Sequence, residues 1–231
     1  MQQIPRRDDR VALLDTLTSK FPVSLDDLAF GPHRFSFASI SNPHDNIDQL
    51  MGREVNDDYQ WEPFWAQAWP SAKSLATWMI SEPNKDCWSE RKVLDLGCGV
   101  GLNGCVAAAQ GALVSFADYA EPSLLFAQYN SWNWRDRVSC FVVDWHKDDM
   151  QQKFDIILGA DIVYEQRNWQ ALDKFFRNHL SAGGRIVLTE PGRDTGQAVQ
   201  GFLEKQNWKI QVSEIGKTDT GRPLRLLMVT S

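Results

Sequence analysis

Several things this sequence does without narrow the reading before any motif is considered. No apolar run is long enough to cross a bilayer, which takes about 20 residues. The opening MQQIPRRDDR lacks the apolar core of a signal peptide. Cysteine is sparse: Cys87, Cys98, Cys105 and Cys140 are the four, and none stands in a C-x-x-C pair. A zinc ribbon or a thioredoxin-like redox site therefore has little support. There is no block of Lys or Arg, and the formal net charge is −6. That balance argues against non-specific nucleic-acid binding, which needs cations to neutralise phosphates. Internal repeats and low-complexity tracts are also missing. The expected setting is the cytoplasm, with reduced thiols and no membrane association.

What is present is a chain of 231 residues, 43% hydrophobic and 11% aromatic, with ten tryptophans. This suits one moderately large domain, or a domain with an arm, around a substantial core. Core packing explains most of the tryptophans. Those grouped in YQWEPFWAQAWP need another explanation.

Residues 1–60 read as an N-terminal arm or cover. DDRVALLDTLTSKF has helical spacing, with Val11, Leu14 and Leu17 on one face. HRFSFASISNPHD alternates like a short strand and breaks at Asn42-Pro43. Pro70 then starts a helix whose apolar face is Leu75, Trp78 and Met79.

From Lys92 onward, strand-like runs (KVLDL, ALVSFA, VSCFVV, FDIILGA, GRIVLTE) alternate with helical stretches (NGCVAAAQ, EPSLLFAQYNSW, NWQALDKFFRNHL). The third connection, DWHKDDMQQK, is short and polar. Such alternation predicts a parallel sheet with helices on both faces. The last two strands, NWKIQVSEI and PLRLLMVTS, have no helix between them and must form an antiparallel hairpin. The expected fold is α/β: a Rossmann-like three-layer sandwich with a seven-stranded sheet, five strands parallel and closed by a C-terminal antiparallel hairpin.

KVLDLGCGVGLNG is a strand, a glycine-rich turn and a helix start. Gly97, Gly99 and Gly101 permit tight turns and close ligand approach. Gly99, Gly101 and Gly104 also spell the dinucleotide fingerprint G-x-G-x-x-G, which alone is weak. Asp95, two residues before the first glycine, would repel a pyrophosphate. It suits a ligand carrying ammonium and sulfonium charge. The late start of the unit and the terminal hairpin point the same way.

On these residues the sequence resembles the class I, seven-stranded S-adenosylmethionine (SAM)-dependent methyltransferases, over residues 61–231. The resemblance implies SAM as cofactor. Asp118 ends the second strand about 20 residues beyond the glycines, where an acid accepts from both ribose hydroxyls; the competing reading is a solvated acid or helix cap. Tyr119 would flank the adenine. The resemblance assigns Asp144 to the adenine amino group and Trp145 to the adenine face, against the plainer reading of a turn acid and a half-buried indole. His146 reads as a surface residue.

The acceptor is read from the end of the fourth strand, FDIILGADIVYE. It lacks the Pro-Pro of amino-methylating enzymes that act on adenine or glutamine. No cysteine follows a proline, as cytosine C5 chemistry needs. The companion acids of a metal-dependent O-methyltransferase are not evident, so no metal is expected. GADIVYE, with PFWAQAWPSAKSLATWM, resembles the family-16 lysine methyltransferases. That resemblance matches Trp65 and Trp69 to a segment covering the cofactor, and Asp161 and Tyr164 to the acceptor site. Members often carry Gly where this chain has Ser71 and Ala72.

In this reading Asp161 binds an ammonium, Tyr164 orients it, and the rings of Trp65 and Trp69 favour a cation. Glu190-Pro191, at the end of the fifth strand, faces the same side and would shape the acceptor channel. The plain alternative has Asp161 capping the next helix, with Tyr164 packed beneath. A protein lysine is the expected acceptor. The alternatives are a small-molecule N- or O-acceptor, or a catalytically silent SAM-fold binding protein. Oligomeric state cannot be read from the sequence.

Overall fold

The structure, a computed structural model, describes residues 1–42, 64–81 and 87–231. The boundary expected between residues 60 and 61 lies outside the described residues.

A short strand β1 (Gln2–Ile4) leads into helix α1 (Arg10–Lys20). Asp9 caps α1, its carboxylate accepting from Val11 N at 2.8 Å and Ala12 N at 3.1 Å. The cap sets the helix phase, and the buried pair is Leu13 and Leu17, one turn apart. Val11, expected on the apolar face, points to solvent at 69% exposure. The hairpin of β2 (Val23–Phe30) and β3 (His33–Ile40) follows. Then comes α2 (Pro70–Ile80), which begins at its proline and buries Leu75 and Met79 as its spacing requires.

The catalytic-type unit is β4 (Lys92–Leu96), α3 (Leu102–Ala109), β5 (Leu113–Asp118), α4 (Glu121–Asn130), β6 (Val138–Val142), β7 (Phe154–Ala160), α5 (Trp169–His179) and β8 (Leu180–Glu190). It continues through α6 (Asp194–Lys205), β9 (Lys209–Lys217) and β10 (Pro223–Thr230). Strands β6-β5-β4-β7-β8 are parallel; β10 pairs antiparallel with both β8 and β9. The segment between β6 and β7 holds no helix, only a turn at 145–147 and irregular chain, in keeping with its short polar sequence.

Among the described residues the main sheet has eight strands rather than the expected seven. The extra one is β1, which pairs antiparallel with the edge of β6, Gln2 opposite Val142 and Ile4 opposite Cys140. Three residues carry too little alternation to signal a strand. Their conformation comes from the unpaired backbone of the edge they cover.

Successive side chains alternate between two cores, as a strand buried on both faces must. Val93, Ile156 and Leu158 meet Leu75, Met79, Val106 and Leu124 on one face. Leu94, Leu96 and Ile157 meet Leu172, Phe176, Val199 and Leu203 on the other. This is the expected three-layer sandwich. Asn130 ties the hairpin to it, exchanging bonds with Ala38 (2.7 and 2.9 Å) and donating to Val100 O at 2.9 Å. No helix among the described residues is long and apolar enough to cross a membrane.

Candidate active site at the carboxyl ends of the strands

The strand order reverses at β4, with β5 and β6 laid down on one side of it and β7 and β8 on the other, and a crevice forms at such a switch point outside the carboxyl ends of the strands. The glycine loop lies there. Gly97, Gly99 and Gly101 all take positive φ, 62°, 52° and 85°. At each of them a β-carbon would be crowded by protein atoms. A β-carbon on Gly97 would come within 2.7 Å of Ile162 Cγ2 and 3.7 Å of the Trp145 ring. One on Gly99 would stand 3.1 Å from Trp65 O. The loop is thus enclosed by residues from three other segments.

Asp95 is buried, with Oδ2 accepting from Gly104 N at 2.7 Å in the first turn of α3. Burial pushes its pKa up to about 7, the Gly104 N–H opposes this, and the Asp118 carboxylate adds to the rise. Asp95 therefore braces the loop from beneath, and a cationic ligand would feel it through a short-range field. Asp118 accepts from Gly99 N at 2.8 Å and Ala120 N at 2.9 Å. Burial raises its pKa despite these donors. The Tyr119 N–H and the Ser123 side chain also bond this carboxylate, so a ribose would share its acceptor positions with protein donors.

Tyr119 is exposed at the rim. Asp144 accepts from His146 N at 3.0 Å and pairs with Lys147 Nζ at 3.2 Å. His146 is exposed and meets Asn168 Oδ1 at 3.0 Å. The Trp145 ring lies beside the glycine loop, and among the described residues its buried indole N–H has no partner. Cys98 and Cys105 are held well above the usual thiol range by burial, so they are poor nucleophiles.

The other half of the site sits at the ends of β7 and β8. Asp161 leaves β7 in the left-handed region, φ 58°, with its N–H donating to Thr189 O at 2.8 Å. It caps no helix among the described residues: Glu165 and Asn168 hold the next N-cap positions. Instead its Oδ1 receives Arg193 Nη1 at 2.5 Å. Burial raises the Asp161 pKa, and the Arg193 charge and hydrogen bond oppose it. The same guanidinium lies 5.9 Å from the centroid of the Tyr164 ring. Burial raises the Tyr164 pKa too, with the charges of Glu165 and Asp161 adding to it, so the side chain remains a neutral phenol.

Arg193 has no regular spacing from Asp161 and stands 32 residues away; no sequence signal pointed to it. Its backbone is fixed. Arg193 N donates to Glu190 Oε2 at 3.1 Å, and buried Glu190 pairs with Arg225 of β10 at 3.3 Å. Glu190 is therefore a strut under α6 rather than a wall of the acceptor channel.

The two tryptophans divide. Trp69 donates to Phe64 O at 2.5 Å, and the Phe64 ring bridges Trp69 (6.1 Å) and Tyr164 (5.8 Å). Trp65, expected to show a cation its ring face, does not. Its ring packs between Phe21 at 5.8 Å and Phe126 at 6.1 Å, because the arm supplies apolar surface there. What Trp65 brings to the site is its backbone, laid over Gly99. The Ser71-Ala72 turn is held by Asn103 donating to Ala72 O at 2.8 Å, and Ser71 is buried.

A glycine loop running into α3, acids closing β5 and β6, and a sheet ended by an antiparallel hairpin define the fold of the class I SAM-dependent methyltransferases. N-methyltransferase NodS from Bradyrhizobium japonicum WM9, solved with S-adenosyl-L-homocysteine, shares it with a TM-score of 0.60 at 16% identity, covering 82% of this chain and 98% of that one. More narrowly, the chain belongs to the lysine methyltransferase family, whose model matches residues 57–206. It is 36% identical to protein N-lysine methyltransferase METTL21A of Danio rerio over 158 residues, 65% of this chain and 70% of that protein. It is 31% identical to histidine protein methyltransferase 1 homolog of Dictyostelium discoideum over 135 residues, 52% of this chain and 40% of that one. Against the first relatives matched, the chain spans about half their length.

The residues present fit S-adenosylmethionine. The loop turns on three glycines of positive φ, Asp118 stands against it, and the buried Trp145 N–H lacks an acceptor among the described residues.

Proposed function

We propose that this chain is a SAM-dependent methyltransferase that methylates the amine of a lysine side chain on a protein, in the cytoplasm. One observation carries the acceptor half of this reading. Asp161, partnered on Oδ1, sits at a strand end whose next residue, Ile162, packs against the glycine loop. A carboxylate for an amine and a cradle for the cofactor are thereby adjacent.

When bound, S-adenosylmethionine supplies a methyl group already activated on a sulfonium sulfur. The chain has to align the amine and keep water away. Asp118 and Trp145 hold the nucleoside end. Asp161 binds the incoming ammonium and orients its nitrogen as the proton is lost to solvent. Tyr164, a neutral phenol, lines the approach with Phe64. Phe64 and Tyr164 are 43% and 36% exposed, so the acceptor end opens outward. That favours a side chain presented by another protein over an enclosed small molecule.

The test is incubation of the protein with radiolabelled SAM and a cell extract, followed by separation and hydrolysis. Label recovered as methyl-lysine in the protein fraction supports the proposal. Label only in small molecules, or only as methylhistidine, overturns the acceptor. Absence of SAM and S-adenosylhomocysteine binding by titration calorimetry would instead support a catalytically silent protein.

A further inference from the structure

Asp161 does not stand free to receive an amine. Its Oδ1 is taken by Arg193, and the Asp161 side chain is only 12% exposed while that of Arg193 is 41% exposed. The guanidinium approaches from the solvent side and touches both members of the D-x-x-Y pair, Asp161 directly and Tyr164 through the ring. Its base cannot drift, because Arg193 N is bonded to Glu190, which Arg225 anchors in the sheet. A β-carbon on Gly196 would fall 2.0 Å from Glu190 Oε2, so the first turn of α6 closes tightly over that anchor. Among the described residues Oδ2 of Asp161 has no hydrogen-bond partner, and the side chain keeps 12% of its surface open.

Resting on the amine-acceptor reading above, the geometry points to Arg193 as a positioning residue: it fixes Asp161 by Oδ1 so that Oδ2 meets the acceptor, and its charge favours the neutral, attacking form of an amine held there. Two things follow from ordinary electrostatics. One carboxylate shared between a fixed guanidinium and an ammonium binds the ammonium less tightly than a free one. A nearby like charge also makes an ammonium give up its proton more easily. Lysine, ordinarily protonated at neutral pH with a pKa near 10.4, needs that push before its nitrogen has a lone pair to use. Tyr164, a neutral phenol, keeps its ring 5.9 Å from the same guanidinium.

The first experiment is the pH profile of methyl-lysine formation in extract protein by wild type, Arg193→Gln and Arg193→Lys. Arg193→Gln removes the charge, so the acid limb of the profile moves to higher pH. Its rate at pH 7.5 falls about 10-fold or more and recovers toward wild type near pH 9.5. Arg193→Lys keeps the limb where wild type has it. A loss in Arg193→Gln that is uniform with pH, or no loss, overturns the inference. The second experiment does not depend on the acceptor. The Asp161 carboxyl, assigned by carbon NMR against Asp161→Asn, titrates higher in Arg193→Gln than in wild type, because the guanidinium that lowers it is gone. An unchanged titration overturns the pairing whatever the enzyme methylates. Lack of methyl-lysine from wild type, with the titration shifted as expected, removes the lysine reading and leaves the Arg193–Asp161 pair standing.

Discussion

The backbone N–H of Gly99 donates to Asp118 Oδ2 at 2.8 Å, so the acid that closes β5 also fixes the loop that closes β4. The candidate ribose acid and the glycine loop are one unit here. Asp118→Ala removes that bond and the one from Ala120 N. The expected contacts to two ribose hydroxyls, at about 1.5 kcal/mol or more each, go with the carboxylate, which implies roughly 100-fold weaker binding of S-adenosylhomocysteine, read by titration calorimetry. A change under about threefold would mean that Asp118 shapes the loop without serving the ligand.

Asp161 separates from Asp118 in the opposite sense. Asp161→Ala is expected to hold S-adenosylhomocysteine within about threefold of wild type and to lose methyl transfer by about 100-fold or more. Alanine at φ 58° carries about 1 kcal/mol of backbone strain, so its melting temperature falls. Asp161→Gly lifts that strain: it should melt at or above wild type and still be inactive. An active Asp161→Gly would show that the carboxylate is not needed.

Asp95 gives the protein a pH dependence of known sign. Its pKa is 3.8 when unfolded and about 7 when folded, so the folded state binds the extra proton between those values. The stability it contributes is fully present below about pH 4 and is lost as pH rises through 7, by at most about 4 kcal/mol. Asp95→Asn keeps an oxygen acceptor for Gly104 N and takes no part in the titration. The urea midpoint of Asp95→Asn should therefore gain on wild type as pH goes from 4 to 8. Parallel midpoint curves would show that the carboxyl titrates normally in the fold.

The Glu190–Arg225 pair supports the acceptor side from below. Arg225→Met leaves a buried carboxyl without its counter-ion and should cost about 3–5 kcal/mol, measured as a fall in urea midpoint. Replacing both partners, Glu190→Leu with Arg225→Met, should recover most of that. A double variant no better than the single would show that hydrogen bonds to the 192–193 turn, rather than charge, set the cost.

The parts that could be read from sequence were those where the cause is local. The β4 strand, three glycines and α3 are written contiguously, and the absence of a helix between β9 and β10 forces their hairpin. Asp161 and Tyr164 stood out because an apolar strand ended on them. Helix α6 did not stand out: it carries two glycines, and its buried Val199 and Leu203 are too few to announce a period. Val11 fitted a helical stripe that the Asp9 cap turned outward. Trp65 was assigned by its company in a tryptophan-rich segment, whereas its ring was claimed by Phe21, 44 positions back, which no local pattern predicts. Arg193 pairs across the sheet and was invisible for the same reason.

The place of β10 between β8 and β9 also bears on how the chain matures. On the ribosome β9 emerges before the strand that partners it, and β8 waits with one open flank. The half-built sheet exposes two hydrogen-bonding edges until Pro223–Thr230 slots in, and such edges invite pairing with other chains. The Glu190 strut beneath α6 is completed by the same event, because Arg225 arrives on β10. A nascent chain stalled before that strand would carry open sheet edges and a Glu190 without its counter-ion at once.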